Sequence, residues 1–444
     1  MGWPARIALK GSFGTAAFSP FHRLIPTPIH RANSSRALQG AHMYRPPLRP
    51  VASALCLTFA LALSGHAQPT CAGISTGVDA SLNGFVPFPA SSVWNTNIAS
   101  SAVDPNSANI INTIGTSTTL HPNFGSGEFD GGSIGIPFLV VDNTQPLVSI
   151  DYTAYGSQSD PGPMPIPANA PIEGAPDPSG DRHVLVLDKS NCWLYELDAS
   201  YPQPDGSWQA ASGAVWDMED GEHRPFTWTS ADAAGLPVFP GLVRYDEVAA
   251  GVIHHALRFT VPTTREAFVF PAEHWASSDQ SANAPPMGMR LRLKASFNIS
   301  GYSQTNQVIL TALKNYGMFL ADNGSGIYLI GDTDSRWNNS DLHNLTQLIG
   351  SDFEVVKMPE IITPTNVPTG PSPEIVSFTS SETSPGVYTL SWSVSNASYL
   401  ILDPTPGPAR GNSLQVSPSA STTYTLNATN EHGRTTAETT ITIP

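Results

Sequence analysis

Six short segments in the last seventy or so residues alternate apolar and polar side chains, each closed by turn formers: Glu374–Phe378, Val387–Val394, Ser398–Leu402, Ser413–Val416, Thr422–Ala428 and Thr436–Ile443. Alternation with period two gives a strand one apolar face, and short strands at regular spacing bury such faces by stacking two sheets. The remainder of the 444 residues reads similarly: 13 % of the chain is charged, about half the usual share, while Gly (36) and Pro (41) are abundant. The fold expected is therefore mainly β. It comprises a large β-rich body, sandwich-like, jelly-roll-like or barrel-like with two or three helices, and a small C-terminal β-sandwich.

Composition shifts set the boundaries. Residues 1–67 read as an upstream extension and an export signal, with Met43 as the true start. Arg45 and Arg49 precede the apolar run Val51–Leu63, and Gly65-His-Ala67 offers small residues for cleavage. That run is too short to span a bilayer. Residues 68–84 form an arm, 85–359 the large domain, 360–372 a Pro/Thr linker and 373–444 the small domain. The expected protein is secreted, extracellular or periplasmic, without a membrane anchor, and monomeric. Cys71 and Cys192 remain after the signal, and in an exported chain they are expected to pair, tying the arm to a strand.

Charge excludes one class of partner. All seven basic residues of 1–67 fall where there is no acid, so the rest carries 14 Lys and Arg against 36 Asp and Glu, a net of −22. A body this acidic, without a basic stripe interleaved with aromatics, is a poor partner for nucleic acid.

Two resemblances add to this. Tyr388-Thr-Leu-Ser-Trp-Ser-Val-Ser-Asn-Ala397 and Ser419-Ala-Ser-Thr-Thr-Tyr-Thr-Leu-Asn-Ala-Thr-Asn430 make the small domain similar to bacterial immunoglobulin-like modules appended to secreted enzymes and adhesins. The stretch His223–Pro237, with Pro285-Pro-Met-Gly288 and Ala321-Asp-Asn-Gly324, resembles a group of secreted bacterial proteins to which no activity attaches. That second likeness spans most of 85–355; it implies export from a bacterium and assigns no catalytic residue.

Four segments carry the candidate chemistry. In Trp216–Trp228, Asp217, Glu219, Asp220 and Glu222 crowd four carboxylates into six positions beside Trp216, Phe226 and Trp228, with His223 and Arg224 next to them. Crowded carboxylates raise one another's pKa, which suits a general acid, and aromatics stack on sugars. Gly241–Glu247 reads as a strand with Val243, Tyr245 and Glu247 on one face and Arg244 and Asp246 on the other. In Gly251–Val261 the same alternation puts His254 and Arg258 on a polar wall and His255 among apolar neighbours. In Met289–Asn298, Arg290, Arg292 and Lys294 form a cationic stripe opposite a core face.

Several motifs fail on context. Gly131-Gly-Ser-Ile-Gly135 matches a hydrolase elbow but lacks the apolar strand before it and the helix after it. Asp332-Thr-Asp-Ser-Arg336 opens like a calcium loop without its glycine and distal glutamate, so neither metal nor cofactor is expected.

The leading expectation is a glycoside hydrolase acting on a polysaccharide. Asp217 or Glu219 is the acid, Asp246 the base or nucleophile, and His254 a further catalytic candidate that helps position substrate. Trp216, Trp228, His223, Arg224, Tyr245, Arg258, Arg290 and Arg292 bind substrate. One alternative is a polysaccharide lyase, the stripe neutralising a uronate while Tyr245 or His254 takes the proton; another is a non-catalytic glycan binder or adhesin.

Overall fold

The run Val184-Leu-Val-Leu187 shows how the body is layered. Val184 and Val186 enter one apolar core and Leu185 and Leu187 another, so this strand is buried on both faces and needs no polar side chain in its middle. It lies at the centre of a five-stranded sheet ordered Gly77–Val78, Leu139–Val141, Val184–Asp188, Trp193–Asp198 and Ser212–Asp217. The computed structural model from which this is read describes residues 70–129, 131–177, 180–221, 224–404 and 407–443. The expected upstream extension and export signal, and Glu222 and His223 of the acidic loop, lie outside the described residues.

A six-stranded sheet carries the other side of the larger core. Its order is Phe353–Val355, Arg290–Leu293, Met318–Asn323, Leu257–Val261, Ile327–Thr333 and Leu120–Gly125. Leu257, Phe259, Leu291, Leu293 and Leu320 from this sheet share the core with Leu185, Leu187, Leu194 and Trp216 of the first. The second core closes the opposite face of the five-stranded sheet with Met164, Ile166 and Trp208, and takes in Tyr399 and Ile401 from the C-terminal region. The fold is mainly β, and among the described residues no sheet closes into a barrel.

The C-terminal region forms two sheets, one of Glu374–Ser384, Val387–Ser395 and Ser413–Val416, the other of Gly407–Ala409, Tyr399–Asp403, Thr422–Asn430 and Gly433–Ile441. Leu390 and Trp392 from the first sheet and Leu402, Tyr424, Leu426 and Ile441 from the second make one small core. This is the stacked pair of sheets that the alternation requires.

Four α-helices are described, one more than expected. Gln304–Asn315 is the helix read from the Ile309, Ala312 and Leu313 spacing; the Ser303 hydroxyl caps it by accepting the Asn306 amide at 3.2 Å. Gly317 ends it with φ +65°, and a Cβ there would sit 2.3 Å from the Leu291 carbonyl oxygen. The helix expected from Ser340 begins at Asn339, is capped by Asn338, and passes into a 3-10 turn at His343. Ser107–Ile114 had no counterpart in the sequence reading.

Tyr245–Ala250 is a correction. The strand expected over Gly241–Glu247 is a short helix from Tyr245, with extended Arg244 before it, Asp246 and Glu247 in its first turn, and left-handed Gly251 closing it at φ +90°. Over six residues an alternating pattern fits either element, and the glycine decides. The helix turns Asp246 toward the arm, where it accepts the Leu82 amide at 2.8 Å and the Ser81 hydroxyl at 3.3 Å.

The arm is also tied covalently: Cys71 and Cys192 are disulfide-bonded, as expected, across 121 residues. Closing so long a loop in the unfolded chain is worth about 5 kcal/mol in the chain-entropy account. Replacing both cysteines by serine is therefore expected to lower the unfolding midpoint by roughly 10 °C in a thermal melt. A midpoint unchanged by the substitution and by reductant overturns this.

Candidate functional site

Strand Ser212–Asp217 brings Trp216 to the lip of the larger core, and the chain then turns through Asp217–Gly221. Two groups fix Trp216. Its indole N–H donates to Glu196 at 3.0 Å, the same carboxylate accepts the Val238 and Phe239 amides, and the Arg224 guanidinium lies 5.6 Å above the ring. Trp216 thereby becomes one wall of a cleft of about 200 Å³. The other walls are Phe88–Trp94, Gly235–Pro237, and Phe270 with Pro271; Asp220 and Glu273 supply the carboxyl groups.

The walls are held from outside the cleft. The Asn95 side-chain amide donates to the carbonyls of Pro87, Phe88 and Pro89 at 2.9–3.1 Å. The Phe88 amide donates to the Met218 carbonyl at 2.6 Å, linking this loop to the acidic turn. Glu273 is 3 % exposed; its amide donates to the Ala234 carbonyl and its carbonyl accepts the Thr227 amide. Gly235 has φ +72°, and a Cβ on it would meet the Trp228 carbonyl oxygen at 2.7 Å.

Two of the eight described non-glycine residues with positive φ are found here. Phe88 and Thr227 hold φ of 69° and 70°, in the left-handed region that bulky and β-branched residues avoid. One lines the cleft and the other is bonded to Glu273. Strained backbone that surrounding contacts over-determine is concentrated at functional sites.

The expected site residues part company. Trp216 lines the cleft and Trp228 lies beside it, half-buried under the Arg434 guanidinium at 4.8 Å. Asp217 is 4 % exposed and paired with Arg410 of the C-terminal region at 3.1 Å; Glu219, exposed, stands 3.7 Å from the same arginine. Arg224 is buried and bound to Asp160. Asp246 holds the arm, and neither Asp246, His254 nor Arg258 lines the cleft. The acid–base pair expected from Asp217 and Asp246 is thus not assembled, because each carboxylate is committed to a separate structural contact.

His254 and Arg258 do not share a polar wall. The strand begins only at Leu257, so His254 is on an exposed loop, its ring 3.5 Å from the Tyr316 hydroxyl. Arg258 is 3 % exposed and paired with Asp232, while His255 is buried between Glu247 and the Ala256 carbonyl. Tyr245 packs edge-on against Trp337 under Arg336.

The cationic stripe is corrected as well. Arg290 donates to the carbonyls of Tyr316, Val93 and Thr96, and burial lowers its pKa to about 9. Arg292 reaches Glu354 and the carbonyls of Ala99 and Ser101. Both arginines clamp the 93–101 loop from within and leave no cationic face for a uronate.

In the Asp332–Arg336 loop, Asp332 accepts the Trp337 indole and the Tyr245 amide, and Asp334 pairs with Arg336. Among the described residues no three His, Cys, Asp or Glu side chains are grouped to hold a metal. Gly132–Ser133 is a two-residue strand and not an elbow.

Of the residues that line this cleft, the sequence singled out Trp216 as a binding candidate and Asp220 only as one of four crowded carboxylates; Glu273, Phe88 and Phe270 were not among its candidates. Glu273 is a single acid in Phe270-Pro-Ala-Glu-His-Trp275; its aromatic flanks are the one local signal.

Away from the cleft lining, buried ionisable groups in several parts of the body have a pH consequence. Burial raises Glu196 to about 7, Asp198 to about 6 and Asp79 to about 7; burial together with the Asp232 and Asp181 charges raises Asp322 to about 8. Burial opposes charge on His183, but the Glu173 carboxylate at 2.5 Å lifts it to about 10.

All five groups bind protons more tightly folded than unfolded. Their stabilisation is complete below the unfolded pKa values and is lost as pH rises through the folded ones: roughly 4 to 8 for the carboxyls, 6.5 to 10 for His183. Burial also raises Asp160, Glu173 and Glu247, but their cationic partners outweigh it and hold all three below the usual range. They lose stability only in stronger acid. His274, lowered by burial, offsets part of the slope below pH 6.5. The unfolding midpoint is expected to be on the order of 5 °C higher at pH 5 than at pH 8. Equal midpoints at the two values, measured calorimetrically, refute the assignment.

Comparison with protein-family profiles, with characterised proteins and with solved structures finds no match.

Proposed function

We propose that this is a secreted carbohydrate-active protein that seats a sugar ring of a polysaccharide in the Trp216 cleft and hydrolyses the adjoining glycosidic bond with Asp220 and Glu273. The observation that carries the reading is the meeting, in one strained and externally braced cleft, of aromatic walls with two carboxyl groups. Phe270, 41 % exposed, is one of the aromatic walls of this cleft. Such a surface suits the apolar face of a sugar, while carboxylates suit its hydroxyls.

Hydrolysis needs one carboxyl to protonate the leaving oxygen and another to activate water or attack the anomeric carbon. Exposure assigns the roles: Asp220 is open to solvent and reaches the water, and the enclosed Glu273 serves as the proton donor. The lyase alternative loses its support, since Arg290 and Arg292 are turned inward.

Incubation of the purified chain with a panel of neutral polysaccharides is expected to release new reducing ends. Affinity without release reduces the reading to a glycan-binding protein; neither affinity nor release removes it.

A further inference from the structure

The acidic turn has a second side. Across it from the cleft, a groove of about 580 Å³ separates the body from the C-terminal sandwich. The body contributes Trp193, Asp217 and Asp220; the sandwich contributes Trp392, Ser393, Asn396, Arg410 and Asn412, among others. Asp220 lines both the groove and the cleft, so the two depressions adjoin at one of the proposed catalytic carboxyls.

From this we infer that the C-terminal sandwich is part of the binding site, and that the groove takes the continuing chain of a neutral oligosaccharide whose first ring sits in the cleft. The inference rests on the reading of the cleft as a sugar site and extends it to chain length and charge.

Three observations support it. First, the groove is a fixed space. Asp160, with no exposure, accepts Arg224 of the body at 2.5 Å and, from the sandwich, Arg434 at 2.6 Å and the Tyr399 hydroxyl at 3.0 Å. The Phe226 amide donates to the Glu431 carbonyl, and the His432 ring lies 5.7 Å from Phe226. Tyr399, which lines the groove, also belongs to the body's second core. Sandwich and body therefore cannot drift apart without breaking a buried ionic centre.

Second, size and lining suit a sugar chain. The groove is about three times the volume of the cleft and falls within the roughly 300–1,000 Å³ of ligand sites. Trp193 and Trp392, both largely buried, back its walls, with Arg410 over the Trp193 ring, and Asn396, Asn412 and Ser393, all exposed, offer both donors and acceptors to hydroxyl groups.

Third, charge selects against acidic chains. Arg410 is the cation lining the groove among the described residues, and it is engaged by Asp217, with Glu219 nearby. The net of −22 over residues 68–444 adds long-range repulsion of any polyanion.

The test is calorimetric titration of the full chain with glucose, xylose, mannose and N-acetylglucosamine, with the neutral tetrasaccharide of each, and with a tetra-uronate. At least one tetrasaccharide is expected to bind tenfold or more tighter than its monosaccharide, and the tetra-uronate not at all. Ser393→Trp fills the groove from an exposed position; it should erase the gain with length while leaving monosaccharide affinity and the unfolding midpoint unchanged. Phe270→Ala, in the cleft, should weaken both ligands alike. If the gain persists in Ser393→Trp while Phe270→Ala weakens binding, the cleft stands and the groove inference falls. Tight binding of the tetra-uronate also overturns the groove inference. Failure of wild type to bind any of the panel sinks both.

Discussion

Replacing Glu273 by glutamine is expected to lower the rate of reducing-end release by about 10²- to 10⁴-fold, the range lost when a positioned general acid is removed. The amide keeps the shape of the side chain but has no proton of useful acidity. The backbone contacts of this residue, to Ala234 and Thr227, are untouched. Affinity for the oligosaccharide should therefore survive while turnover goes. A variant that cleaves as fast as the wild type removes Glu273 from the reaction, and with it the assignment of the carboxyl pair. A variant that neither binds nor cleaves, with a depressed melt, points to a structural role instead. Asp220→Asn gives an independent arm, since Asp220 is exposed and its replacement is not expected to disturb packing.

The largest effect on stability is expected at Asp160. This side chain accepts Arg224, Arg434, the Tyr399 hydroxyl and the Val215 amide, and both arginines hold its pKa below the usual carboxylate range against the opposing effect of burial. Asp160→Ala leaves the Arg224 guanidinium, 1 % exposed, without the carboxylate it is bonded to. Breaking a buried pair from one side costs about 3–5 kcal/mol. Chemical denaturation should show a loss of that size. Arg434→Ala should lose less, because Asp160 keeps Arg224. If Asp160→Ala melts within experimental error of the wild type, the centre is not what joins the two parts.

Much of the β architecture was legible because burial leaves a direct mark on strands. Val184-Leu-Val-Leu187 is apolar at every step because both its faces are covered, and the C-terminal segments alternate because only one of theirs is. Lengths erred in both directions: the stretch read from Met289 forms strand only over Arg290–Leu293, while the one read as Glu374–Phe378 runs to Ser384.

The site was legible in part, for a physical reason. Alternation tells which residues share a face, but not what covers that face. Arg290 and Arg292 do lie opposite the core side of their strand, yet the 93–101 loop folds over them and takes their protons into its carbonyls. The acidic turn was recognisable from Trp216 and its carboxylates. Its use was not, since Asp217 spends its charge on Arg410, far along the chain. Glu273 joins Asp220 only through the tertiary fold.

Asp160 has a further bearing on how the molecule comes into being. Its partner Arg434 lies 274 residues later, and Leu120–Gly125 pairs along its edge with Ile327–Thr333. During synthesis the early segments must wait, with apolar surface uncovered and Asp160 matched by Arg224 alone, until nearly the whole polypeptide has emerged. A chain of such distant pairings assembles slowly and late, and an arrest before the last strands leaves behind a sticky precursor with no smaller working version of the protein inside it.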